Sequence, residues 1–171
     1  MTDTAIQKAV AAPLFKVTLL LSRYNDAFSK MIALSSRGKF THISISLDPA
    51  EDVFYSFNKK GFIEEHWHGK RSRHLLPDRA YMRFYVTKEQ FERLAEEINL
   101  YKKRSAELSY SVIGTLLCMI RIPSRFKKQF FCSQFVADVL RRSGTVKLKR
   151  KSSLYLPMHL LKELRGYAAE A

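Results

Sequence analysis

The sequence predicts an α+β fold, a mainly antiparallel sheet with helices packed against it. The sheet is read from THISISLD, which alternates strictly: Ile43, Ile45 and Leu47 to one side, His42, Ser44 and Ser46 to the other. That period of two marks a half-buried strand. A short turn, DPAED, then leads into VFYSFN, a connection that fits an antiparallel hairpin. The helices are read from FCSQFVADVLRRSG, where Phe131, Phe135 and Val139 form one row, Val136 and Leu140 lie beside it, and Gly144 stands as the stop.

The remaining elements follow in order. FKVTLLLS from Phe15 is apolar and β-branched enough to be a buried strand. RYNDAFSKMIALSSRGK puts Tyr24, Phe28, Met31, Ile32 and Ser35 at helical spacing, with Gly38 as its terminator. After the hairpin, EEHWHGKRSRHLLPD has no period and reads as a loop. RAYMRFYVT is a further strand, and Thr87 with Gln90 three residues on is a capping box for the next helix. Phe91, Leu94, Ala95, Ile98 and Tyr101 make that helix's apolar face. The apolar run between Glu107 and Ile122 fits helix or strand, and helix is preferred. A basic loop and a short final helix, LPMHLLKELRG, complete the chain.

At 171 residues the chain fits one domain, with residues 1–13 a loosely ordered N-terminal segment. Apolar residues make up 46% and charged residues 27%, the composition of a folded chain and not of a disordered one. The start resembles an export signal only superficially, because Asp3, Pro13 and Lys16 interrupt the required pattern. SVIGTLLCMI is far short of the roughly 20 apolar residues that span a bilayer. A cytoplasmic location is therefore predicted. Lysine and arginine number 30 against 16 acidic residues, a formal charge of +14. Such an excess implies an anionic partner nearby, and nucleic acid, an anionic membrane surface and an anionic cell-wall polymer each satisfy it. The densest basic runs, GKRSRH and VKLKRK, are short and read as solvated loops. No nucleic-acid motif or aromatic platform accompanies them, so nucleic acid is not an expected partner.

Two cysteines occur, Cys118 and Cys132, in no paired arrangement that would indicate zinc, a redox centre or a disulfide framework. Cys132 falls at the first turn of its helix, where unsatisfied backbone N–H groups favour a thiolate and can donate to an oxyanion. Cys118 lies within an apolar run with no charged neighbour and is assigned to packing. Of the five histidines, His66 and His68 form an HWH triplet in a polar loop, His74 adjoins Arg73, and His159 begins the final helix. HWH has no further ligand at metal spacing, so neither a metal nor a cofactor is expected. His42 alone sits on a predicted strand, which holds an imidazole better than a loop would. A third polar group usually orients such a base; Ser56 is the candidate, with Asn58, Glu64 and Glu65 as alternatives.

KFTHISISLD, then VFYSFN, then FFCSQFVADVL resembles the circularly permuted branch of the NlpC-type papain-like cysteine hydrolases, which includes the YiiX-like proteins and lecithin retinol acyltransferase. In that branch a strand beginning with histidine precedes the cysteine helix, the order seen here. The resemblance runs from about Val17 to Pro157, with SYSVIG similar to the tyrosine-bearing segment before the cysteine. It implies a permuted papain-like fold with Cys132 as nucleophile, His42 as base and Ser56 at the third position, where relatives often carry histidine, glutamate or another strongly polar group. It also implies a peptidase, amidase or acyltransferase acting through a thioester on an amide- or ester-containing substrate, such as a peptidoglycan-derived peptide or a lipid. A basic binding module without catalysis is the competing expectation.

Overall fold

A computed structural model describes residues 13–66 and 75–168. Five strands form one sheet in the order β4-β3-β2-β1-β5. They are β1 (Phe15–Tyr24), β2 (His42–Ser46), β3 (Val53–Asn58), β4 (Gly61–His66) and β5 (Leu75–Val86), and each neighbouring pair is antiparallel. The helices are α1 (Ala27–Ser36), α2 (Lys88–Lys103), α3 (Val112–Met119), α4 (Cys132–Arg142) and α5 (Pro157–Leu164). Two short strands, β6 (Ser109–Tyr110) and β7 (Gln129–Phe130), pair in parallel ahead of α3 and α4. The arrangement is α+β, with a mainly antiparallel sheet as expected. Among the described residues no helix is long and apolar enough to cross a membrane.

The apolar alternation explains the packing. Val17, Leu19 and Leu21 of β1 and Ile43 and Ile45 of β2 join Phe135, Val136, Val139 and Leu140 of α4 in one buried cluster. Phe57 of β3 lies 5.5 Å from Phe135, ring centre to ring centre, and Tyr101 of α2 lies 4.9 Å from it. Rings at such distances and tilts gain beyond simple area burial. The Tyr101 hydroxyl also donates to Asp138 at 2.9 Å, which ties α2 to α4. Cys132 is thus presented by a helix locked from two sides.

Several elements depart from the sequence reading. EEH is no loop: Glu64 and Glu65 belong to β4, paired with Tyr55 and Phe54 of β3. Trp67, His68, His74 and the GKRSRH run lie outside the described residues, as do residues 1–12. Tyr24, counted as helical by its spacing, ends β1; α1 starts after Asp26, whose carboxylate accepts from the Ser29 N–H at 3.0 Å. Met31 lies outward, leaving Ile32 as the buried apolar anchor of α1. Arg37, not Gly38, takes the left-handed turn at φ 50°. Gly38 serves close approach instead, because a Cβ there would run into the Met158 side chain.

Strand β2 is buried on both faces, not half-buried. It is an interior strand, and Ser44 and Ser46 are as inaccessible as Ile43 and Ile45. The capping box at Thr87 forms as read, with the Gln90 N–H on the Thr87 hydroxyl and the Thr87 N–H on the Gln90 side chain.

Candidate active site

His42 opens β2 and Cys132 opens α4, so the packing of α4 on the sheet brings two element ends together. The Cys132 thiol lies within interaction range of the His42 imidazole, and both side chains line one cavity of about 220 Å³. Phe28 and Ile32 of α1, Phe57 of β3 and Tyr110 of β6 contribute apolar wall, while Lys59 and Lys60 add positive charge. The first turn of α4 is fixed from below: the Ser133 hydroxyl donates to the Tyr155 carbonyl at 2.6 Å. No side chain caps this helix, so its leading N–H groups have no side-chain acceptor. Such N–H groups can stabilise an oxyanion.

Glu65 completes the geometry. Its Oε1 lies 2.9 Å from His42 Nε2, and both side chains are largely buried. A carboxylate and an imidazole at that distance fix the ring, and they favour the tautomer that carries its proton toward the carboxylate. Burial opposes charge on His42, but Tyr24, Glu65 and the Cys132 contact outweigh it and raise its pKa well above 6.5. Tyr24 acts as a charge only where its phenol is ionised, and burial pushes that ionisation upward. While Tyr24 is neutral, Glu65 is the anion that favours the protonated form of His42. Burial raises the Glu65 carboxyl, yet His42, with lesser help from Ser44 and Tyr24, turns the net shift downward. Ser44 and Tyr24 act on it only weakly, because Ser44 Oγ and Glu65 Oε2 are buried without a partner in good hydrogen-bond geometry.

Tyr24 also braces the site. Its ring meets His42 edge-on with centroids 5.1 Å apart. Its backbone N–H donates to the Thr41 hydroxyl at 3.1 Å, beside His42 in the chain, and the Thr41 N–H donates to the Ser22 carbonyl at 3.0 Å. The pairing of β1 with β5 is irregular between Ser22 and Tyr24, which sets Tyr24 out of the regular ladder.

The structure thus brings Cys132 and His42 together and puts Ser56 elsewhere. The Ser56 hydroxyl donates to the Ile43 carbonyl at 2.7 Å, fully buried, and β2 to β3 cohesion is what it serves. The carboxylate at the imidazole comes from Glu65, while Glu64 pairs with Lys102 at 2.7 Å. Neither a scan against protein-family models nor a search of curated proteins finds a match for this chain. The geometry of the site therefore carries the functional reading. Cys118 sits in a separate apolar cluster with Ile32, Phe131 and Leu156, and burial pushes its thiol up to about 12. Among the described residues no three histidine, cysteine or carboxylate side chains converge as metal ligands.

Tyr24 and Glu65 were the residues hardest to see from the sequence. Glu65 had a usable signal, since IEEH continues the β-hairpin period after a two-residue Lys59–Lys60 turn. Tyr24 had one as well: Asp26 with Ser29 marks a helix start that leaves Tyr24 on the strand side.

Proposed function

We propose that this protein is a thiol hydrolase or acyltransferase of amide or ester bonds on a permuted papain-like fold. Cys132 is the nucleophile, His42 the general base, and Glu65 the residue that orients and charges His42. The observation that carries the reading is the Cys132–His42–Glu65 relay at the mouth of an uncapped helix, with two of its members lining a cavity. A buried thiol that merely packs needs neither an imidazole nor a carboxylate behind that imidazole.

In the reaction, His42 accepts the Cys132 proton and the thiolate attacks the substrate carbonyl. The leading N–H groups of α4 receive the developing oxyanion. His42 returns the proton to the departing amine or alcohol as the carbon–nitrogen or carbon–oxygen bond breaks, which leaves a thioester on Cys132. Water or a second acceptor, deprotonated by His42, attacks that thioester and frees the thiol. The apolar wall of Phe28, Ile32, Phe57 and Tyr110 suits an acyl portion, and Lys59 and Lys60 suit a negative group near it.

Incubation with p-nitrophenyl acyl esters followed by peptide mass spectrometry tests the reading. A hydroxylamine-labile acyl group is expected on the Cys132 peptide in the native chain, and none in Cys132→Ala or His42→Ala. Absence of any adduct, together with iodoacetamide labelling of Cys132 no faster than a model thiol, would sink it.

A further inference from the structure

We propose that the outward faces of α1 and α3 form a docking surface for an anionic lipid bilayer. The basis is a run of large apolar side chains turned to solvent. On α1, Met31 and Leu34 are 49% and 80% exposed; on and after α3, Val112, Ile113, Leu116, Ile120 and Ile122 are 39–66% exposed. Single exposed hydrophobics are ordinary, but a contiguous set marks an interaction surface. At 100° per residue, Val112, Ile113, Leu116 and Ile120 fall within one arc of about 100°. Gly114, Thr115 and Cys118 occupy the opposite, buried side. No charged residue lies between Leu108 and Ile120. Ile32 of α1 and Cys118 of α3 share one buried cluster, and the two helices are in contact.

The rim of this surface selects the occupant. Lys30 and Arg37 flank the α1 face, and Arg121, Arg125 and Lys127 follow α3; all are exposed, and none makes an ion pair among the described residues. Arg121, between Ile120 and Ile122 in the chain, and Arg150 and Lys162 lie near enough to His159 to act on its charge. Burial, and then those three cations, hold its imidazole below its usual range, and its Nδ1 is buried without a partner. Glu107, the acidic residue nearest the start of α3, is taken up by Lys128 at 3.1 Å. Apolar side chains ringed by unpaired cations match an acyl layer under anionic headgroups. A second copy docked by the same face would bring these cations against one another, and nucleic acid would leave the apolar side chains uncovered.

The proposal does not depend on catalysis, and Cys132→Ala is expected to bind as the native chain does.

Co-sedimentation of the full chain with vesicles tests it, using phosphatidylcholine alone and phosphatidylcholine mixed with phosphatidylglycerol. Binding to the mixed vesicles is expected to exceed binding to neutral ones by about 10-fold and to weaken with salt. Ile113→Ser combined with Leu116→Ser, both exposed and so tolerated by the fold, is expected to cut binding to mixed vesicles by about 10-fold at constant ionic strength. Arg121→Glu with Arg125→Glu is expected to weaken binding and flatten its salt dependence. Circular dichroism establishes that each variant is folded. The proposal is overturned if the native chain ignores phosphatidylglycerol vesicles, or if the paired serine variant binds them as well as the native chain. It is equally overturned if analytical ultracentrifugation finds a dimer that the serine pair dissociates while vesicle binding is absent.

Discussion

Cys118 and Cys132 are both free and almost equally inaccessible, 2% and 4% exposed, yet they sit in opposite chemical settings. Cys118 faces Ile32, Phe131 and Leu156 from the inward side of α3, and burial pushes its thiol up. Cys132 shares a cavity with the His42 imidazole, has a carboxylate behind that imidazole and stands at a helix N-terminus. Depth of burial alone therefore does not distinguish the two thiols. Neighbours do, because only groups that stabilise the thiolate and accept its proton make sulfur a nucleophile.

The largest expected effect follows from that contrast. Iodoacetamide at neutral pH is expected to modify Cys132 about 100-fold faster than Cys118, because Cys132 shares its cavity with an imidazole while burial raises the Cys118 thiol. Peptide mapping by mass spectrometry reads both rates in one sample. Equal rates would erase the distinction between the two sites.

Glu65→Gln tests whether the carboxylate behind the imidazole makes the difference. A charge-assisted hydrogen bond is worth about 1.5–3 kcal/mol, so Cys132 acylation is expected to fall by about 10-fold to 100-fold. The His42 titration followed by imidazole NMR is expected to move to lower pH, because the anion that favours imidazolium is gone. Stability carries the same signature. The raised His42 pKa contributes stability that is complete below 6.5 and lost as pH rises through the folded value. The lowered Glu65 pKa contributes stability that is present above 4.5 and lost as pH falls through the folded value. The native chain is thus expected to gain most over Glu65→Gln between 4.5 and 6.5, measured as urea midpoints across pH. A constant difference at all pH values would separate Glu65 from the His42 charge.

Much of this contrast was legible before the structure. Cys132 was visible because FCSQFVADVL combines a helical apolar row with a thiol at its front, and His42 because THISIS alternates. That alternation also misled. Polar residues at every second strand position ordinarily mean solvent, but His42, Ser44 and Ser46 are buried because β2 lies inside the sheet and its polar face holds the site. The third group, for a related reason, stood only among the alternatives. Ser56 was placed beside His42 by chain proximity, whereas Glu65 reaches it from β4, two strands away in the sheet order. Sequence patterns report local period well and curvature of a sheet hardly at all.

A smaller effect is expected at Tyr24, which braces the imidazole edge-on and reaches Glu65 only weakly. Tyr24→Phe keeps the ring and removes the hydroxyl. Loss of one such contact, worth about 1 kcal/mol, is expected to slow Cys132 acylation about 5-fold. No change would confine Tyr24 to ring packing.

Ser56→Ala is expected to leave the reactivity of Cys132 unchanged, and for that reason it sharpens the comparison most finely. Its hydroxyl is committed to the Ile43 carbonyl at 2.7 Å in a place with no solvent access. Removing it leaves a buried carbonyl with one fewer donor, a loss of about 1–3 kcal/mol in unfolding free energy. Cys118→Ala is expected to behave alike, destabilising by about 1 kcal/mol without altering the labelling rate at Cys132. Both costs are mechanical, because neither side chain touches His42 or Glu65. If Ser56→Ala instead slowed Cys132 acylation as much as Glu65→Gln does, the orienting role would be divided between β3 and β4. The contrast between the two thiols would then rest on the register of the hairpin and not on a single carboxylate.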